Sequence, residues 1–131
     1  MDANSKLIES CYAAFGRGDI PFILGILTDD VDWRGPTSPE IPYHGDYRGK
    51  AGAGQFFERI GANIQVTAFT PTTYLSAGDE VMTTGNWTGI ATSTGKTFST
   101  DWAMRFKVTG GKISYFKAYE DTASTATAFR K

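Results

Sequence analysis

Apolar residues recur at helical spacing near the start of the chain, where Leu7, Ile8, Cys11, Tyr12 and Phe15 form one stripe behind Asn4 and Ser5, two residues suited to capping. Gly16 and Gly18 end that run. Asp19 then opens a second short helix, with Pro21 in its first turn and Phe22, Ile23, Ile26 and Leu27 as its apolar side, closing at Asp29-Asp30. Val31 to Arg34 alternates apolar and charged positions and predicts a short strand, followed by a Pro- and Gly-rich loop that runs to about Gly49. From Ala51 to Ile60, the spacing of Phe56, Phe57 and Ile60 predicts a third helix whose first turn is weakened by Gly52 and Gly54.

The second half changes period. Turn signals at Ala77-Gly78-Asp79, Thr94-Gly95-Lys96 and Thr109-Gly110-Gly111 divide a Thr-, Val- and aromatic-rich segment into a four-strand antiparallel meander. Its clearest strand, Phe98 to Val108, sets Phe98, Thr100, Trp102, Met104 and Phe106 on one face and Asp101 and Arg105 on the other, which marks a sheet buried on one side. The final strand alternates Ser114, Phe116, Ala118 and Glu120 toward that same side. Gly85 and Gly89 flank Trp87, where a sheet bends or something approaches the backbone closely. Thr122 to Arg130 reads as a short helix capped near Asp121.

Charge and composition narrow the function classes. Thirteen basic and 14 acidic side chains leave a formal charge of −1, without the basic patch that nucleic acid or an anionic membrane would require. A length of 131 residues suits one domain spanning 1–131. Cys11 is the only cysteine, so an internal disulfide is excluded and a cytoplasmic setting is expected, with Cys11 as a small core residue. No apolar run reaches the roughly 18 residues of a membrane span. The Gly49, Gly52, Gly54 spacing matches no phosphate-binding fingerprint, and one histidine with one cysteine does not assemble a zinc site, so neither cofactor nor metal is expected.

Four stretches, in order, carry a resemblance: Tyr12-Ala13-Ala14-Phe15 leading into Gly18-Asp19; Leu27 through Asp32-Trp33; Gly45-Asp46-Tyr47-Arg48-Gly49 before Phe56-Phe57; and Gly111-Lys112-Ile113 running to Tyr119-Glu120-Asp121-Thr122. Together they resemble the nuclear transport factor 2-like superfamily, most closely its SnoaL-like and ketosteroid-isomerase-like members. The resemblance implies an α+β fold, a cone-shaped half-barrel of curved, mainly antiparallel (mixed) sheet closed by N-terminal helices, with a pocket on the concave face. Matched to that fold, Trp33, Trp87, Trp102, Met104, Phe116 and Glu120 face the pocket, and Tyr12 and Phe56 reach it from helices.

Three inward tryptophans suit a flat, apolar ligand with one or two polar handles; the competing reading is that the rings simply fill the cone as core. The resemblance does not carry over a complete catalytic set. The general base of ketosteroid isomerases falls near Gly35, their tyrosine near Cys11 with Tyr12 one residue out of phase, and their protonated acid near Trp102. Epoxide hydrolases of this fold need an acid where this chain has Ala118. SnoaL-like cyclases ask least, one general acid/base in an apolar pocket, for which Glu120 is the candidate if burial raises its pKa. A solvated carboxylate or a helix cap beside Asp121 is the alternative for Glu120. His44, in the loop that would cover the pocket mouth, is the second candidate, set against an ordinary surface histidine. Tyr12 and Tyr43 are candidate donors, while Asp32, Arg34, Asp46 and Arg48 are read as ion pairs ordering the loop.

Three functions follow: an isomerase, cyclase or hydratase acting on an apolar carbonyl compound; a non-catalytic binder of an aromatic or lipid-like molecule; and a structural or dimerisation module. A homodimer paired through the outer sheet face is expected from the resemblance.

Overall fold

A computed structural model describes residues 1–131. Helix α1 (Ala3–Gly16) starts one turn earlier than its apolar stripe, because Asp2 caps it: the Ser5 N–H donates to Asp2 Oδ1 at 2.8 Å. Asn4 and Ser5, expected as caps, lie inside the first turn. Ile8, Cys11, Tyr12 and Ala14 are buried along one face. Asp19 caps α2 (Ile20–Gly25), accepting from the Phe22 N–H, and Pro21 sits in the first turn, where no N–H is needed.

Strand β1 (Leu27–Arg34) begins four residues before its alternating pattern does. Leu27 pairs with Ile113, and the register then shifts before Asp32, so Asp29 and Asp30 bulge into solvent within the strand instead of closing a helix. The long loop also holds a three-residue strand, β2 (Asp46–Arg48), paired antiparallel to β1 with Trp33 opposite Tyr47. Helix α3 (Gly49–Asn63) turns Ala53, Phe56, Phe57 and Ile60 inward.

Then come β3 (Ile64–Ala77), β4 (Glu80–Ala91), β5 (Thr97–Thr109) and β6 (Lys112–Glu120), and finally α4 (Thr122–Phe129), capped by Asp121. The six strands form one sheet in the order β2-β1-β6-β5-β4-β3, antiparallel throughout except for the parallel β1–β6 pair. It is an open, mixed, half-barrel-like sheet. Edge strand β3 carries Pro71, tolerated there because it stands on the sheet's edge and beside a register shift against β4.

One face of the sheet and the inward sides of α1 and α3 share a core in which Trp33 stacks on Phe116 (4.0 Å, 18°) and Trp102 on Phe69 (5.0 Å, 14°). The two β4 glycines make room for these rings. Gly85 lies opposite Trp102 and Gly89 opposite Phe98, and a Cβ at either position would collide with the facing aromatic side chain. On β6 the simple alternation fails at one place. A register shift between Lys107 and Val108 lifts Ser114 out of the ladder, so Ile113 is buried, while Ser114 donates to the Lys107 carbonyl. No helix is long and apolar enough to cross a membrane.

Candidate functional site

The concave face encloses a cavity of about 60 Å³. Strand β1 contributes Trp33, β4 Trp87, β5 Trp102 and Met104, and β6 Phe116 and Glu120; α1 adds Tyr12, α3 adds Phe56, and the loop before β2 adds Tyr43. All of these side chains meet at one cavity. His44 does not line it: its Nδ1 lies 2.6 Å from the Ile41 carbonyl oxygen, to which it donates within its own loop. Phe15, Pro36, Phe57, Phe69 and Phe106 also line the cavity without having been singled out as pocket residues. Phe106 shared the inward face with Trp102 and was legible there. Phe69 was not, because β3 is exposed along most of its length and has two register shifts, so period 2 gives no face.

The cavity is narrow. A single water needs roughly 10–15 Å³ and a benzene-sized cavity is about 150 Å³, so the free space amounts to a few waters and the aromatic rings fill most of the cone. Yet the filling is not chemically complete. Trp33 Nε1, Trp102 Nε1, Tyr43 Oη and Glu120 Oε1 are buried without a hydrogen-bond partner, and all four belong to residues that line the cavity. Buried polar atoms of native proteins are paired in the great majority of cases, so four orphans around one space call for an explanation.

Glu120 is half-buried, and its carboxyl is the one acidic group on the wall whose shift brings it near neutrality. Desolvation raises its pKa from 4.5 to about 7, with the nearby Asp121 charge adding to the rise, while Trp87, Thr125 and Tyr43 partly oppose it. Only the contact from Thr125 Oγ1 to Glu120 Oε2, at 3.5 Å, approaches a formed hydrogen bond; Trp87 and Tyr43 are close enough to matter electrostatically without bonding well. Thr125 comes from α4 and is itself bonded to Thr100 on β5 at 2.8 Å, so the C-terminal helix seats the carboxyl. Asp121, and not Glu120, is the helix cap.

The two candidate tyrosines differ. Tyr12 Oη lies 2.6 Å from Thr83 Oγ1 and contacts Met104 Sδ, and so is already satisfied. Tyr43 Oη is unpaired, and burial followed by the Glu120 charge pushes its pKa well above the usual value. Cys11 lines the cavity from α1, its thiol pushed up to about 12 by burial. Outside the cavity, Asp32 accepts from Arg34 at 3.1 Å and faces Arg48 at 3.8 Å; Asp46 makes no such ion pair.

A SnoaL-like domain family model matches residues 8–116. No curated protein sequence matches the chain significantly. Among solved structures, an NTF2-like protein from Burkholderia thailandensis E264 is 26% identical with a TM-score of 0.90, covering 100% of both chains. Another from Burkholderia xenovorans LB400 is 27% identical with a TM-score of 0.87, covering 98% of this chain and 96% of its own. TerC, co-crystallised with polyporic acid, shares the fold at 22% identity and a TM-score of 0.85, over 99% of this chain and 100% of TerC. The family match over most of the chain and these same-fold neighbours put the protein in the SnoaL-like domain family of the NTF2-like superfamily.

Proposed function

We propose that the chain is a proton-transfer enzyme of the isomerase or cyclase type, acting on a small apolar compound that carries a carbonyl group, with Glu120 as general acid/base. The observation that carries this reading is the carboxyl itself, raised to about 7 on the wall of an apolar cavity with one oxygen unpaired. A group that titrates near neutrality is present in both protonation states and can take and return a proton. Tyr43, unpaired beside it, positions the carboxyl or the substrate. The orphaned donors match a ligand that brings oxygen acceptors into an otherwise apolar site, in keeping with TerC, a protein of this fold, having been co-crystallised with polyporic acid.

The narrow cavity favours a second reading, a cone filled by its own rings; the four unpaired polar atoms weigh against it, since a pure packing role would leave them without purpose. A non-catalytic binder would use the same lining without needing the raised carboxyl. Ligand entry requires side chains at the cavity edge to move, and the partly buried Phe15, Phe69 and Met104 are the candidates. Residues 1–131 are read as one cytoplasmic domain. Two copies are expected to pair through the outer sheet face, where Met82 and Tyr119 are exposed, and light scattering giving the mass of one chain would refute that pairing.

The deciding experiment follows intrinsic tryptophan fluorescence and melting temperature against a panel of flat apolar carbonyl compounds and fatty acids. Binders are then assayed for proton exchange with wild type and Glu120→Gln. Exchange that depends on Glu120 supports the enzyme; saturable binding with equal exchange in both supports the binder; no response across the panel supports the filled cone.

A further inference from the structure

We propose that the indole N–H of Trp102 is the donor that holds the substrate's carbonyl oxygen, including the charge that oxygen gains when Glu120 removes a neighbouring proton. The inference rests on reading Glu120 as the acid/base. Trp102 lines the cavity, is 4% exposed, and its Nε1 has no partner. An indole nitrogen is a donor only, so nothing but an acceptor can satisfy it. No acceptor on the cavity wall is hydrogen-bonded to it in this structure, and a carbonyl oxygen carried in by the ligand would satisfy it.

Position supports the same assignment. Trp102 on β5 and Glu120 on β6 are direct register partners, so their side chains rise on the same face of adjacent strands. Directly opposed residues have Cβ atoms roughly 5 Å apart. A carbonyl group set over this pair would have its oxygen at the N–H and its α-carbon at the carboxylate. The other orphaned indole sits at a different level of the sheet: Trp33 is level with Phe116, four residues back along β6 from Glu120, or about 13 Å along the strand at the usual rise. Tyr12 Oη is taken by Thr83, and Tyr43 reaches the cavity from the loop before β2, outside the Trp102–Glu120 strand pair.

The donor is also held in place before any ligand arrives. The Trp102 ring stacks on Phe69, leans on Tyr12 at 5.5 Å, and lies across Gly85, where the absent Cβ leaves the space it occupies. A donor fixed in advance in an apolar, water-poor site stabilises developing charge without first reorganising. In the step, the Glu120 carboxylate takes the proton from the carbon next to the carbonyl. The C–H electron pair forms the new C–C π bond, and the carbonyl π pair moves onto oxygen, where Trp102 N–H holds it. Glu120 then returns the proton to another carbon of the conjugated system and the carbonyl reforms.

The test uses two small probes of similar shape, 4-fluoroacetophenone, which can only accept a hydrogen bond, and 1-ethyl-4-fluorobenzene, which can do neither. Binding to the full-length protein is read by fluorine NMR, above pH 8 so that the Glu120 carboxylate cannot donate. Wild type should prefer the ketone by about tenfold, the scale of one buried hydrogen bond. Replacing Trp102 with benzothienylalanine, in which sulfur takes the place of N–H, should abolish that preference while leaving the affinity for the hydrocarbon unchanged. Trp102→Phe, checked for an intact melting transition, should behave likewise. A preference that survives in the benzothienyl protein would overturn the role of Trp102 and leave the pocket reading standing. If neither probe enters the wild-type cavity, the pocket reading falls and the proposal with it.

Discussion

Trp102 lies over the backbone of Gly85, its partner across the β4–β5 ladder, so closely that any side chain at position 85 would overlap the indole. The Thr70 carbonyl crowds the same spot from β3. Gly85→Ala is therefore expected to cost about 1–3 kcal/mol, the usual penalty for overpacking a core. Gly61 is the control. It is helical, nothing lies within 4 Å of a Cβ built there, and Gly61→Ala should stabilise by up to about 1 kcal/mol. Urea unfolding of both variants checks the pair, and a neutral Gly85→Ala would mean that the ring does not lie where it is described.

Glu120 links stability to pH. Its pKa is about 7 when folded and near 4.5 when exposed, so between those values the folded state holds the proton more tightly. Stability should fall as pH rises through that window, by roughly 3 kcal/mol at most, and level off above it. Glu120→Gln should flatten the profile, gaining on wild type at pH 8 but not at pH 4. Equal slopes in the two proteins would show that the carboxyl is solvated.

Tyr43 and Tyr12 should separate cleanly. Tyr43→Phe removes a group that holds the Glu120 pKa down, so that pKa should move further up, as read from a carbon-13 carboxyl titration. Tyr12→Phe should leave the titration unchanged. It strips Thr83 of its partner at a site 1% exposed, and a loss of about 1–3 kcal/mol is expected.

Cys11 is buried and its thiol is pushed up to about 12, so a thiol reagent should label it near pH 8 only through unfolding. Labelling should be slow in buffer and immediate in denaturant. Fast labelling of the folded protein would show that the cavity opens along α1.

Much of the architecture is local and could be read from the chain. The helical stripe of α1, Pro21 behind Asp19, and above all the strict alternation from Phe98 to Phe106 are consequences of backbone period and capping chemistry, which neighbours in sequence decide. That alternation brought Trp102 and Met104 to one face, and the family resemblance extended it to Trp33, Trp87, Phe116 and Glu120, all of which line one cavity. The failures lie where pairing partners distant in sequence intervene. The bulge that turns Ser114 away and buries Ile113, the shift that carries Asp29 and Asp30 into β1, and the short β2 strand inside the loop all depend on how strands meet, not on the residues beside them. Phe69 reaches the cavity only because an otherwise exposed edge strand curls over α1.

What tertiary structure alone decided is the state of each candidate group. The sequence allowed Glu120 to be a cap or a buried acid; α4 folding back, with Thr125 bonded to Thr100, desolvates the carboxyl and leaves the capping to Asp121. It allowed either tyrosine to donate, and only the packing of α1 against β4 spends the Tyr12 hydroxyl on Thr83. Desolvation and hydrogen-bond pairing are sums over neighbours brought from across the chain, so the residue types were legible in the sequence while their protonation and availability were not.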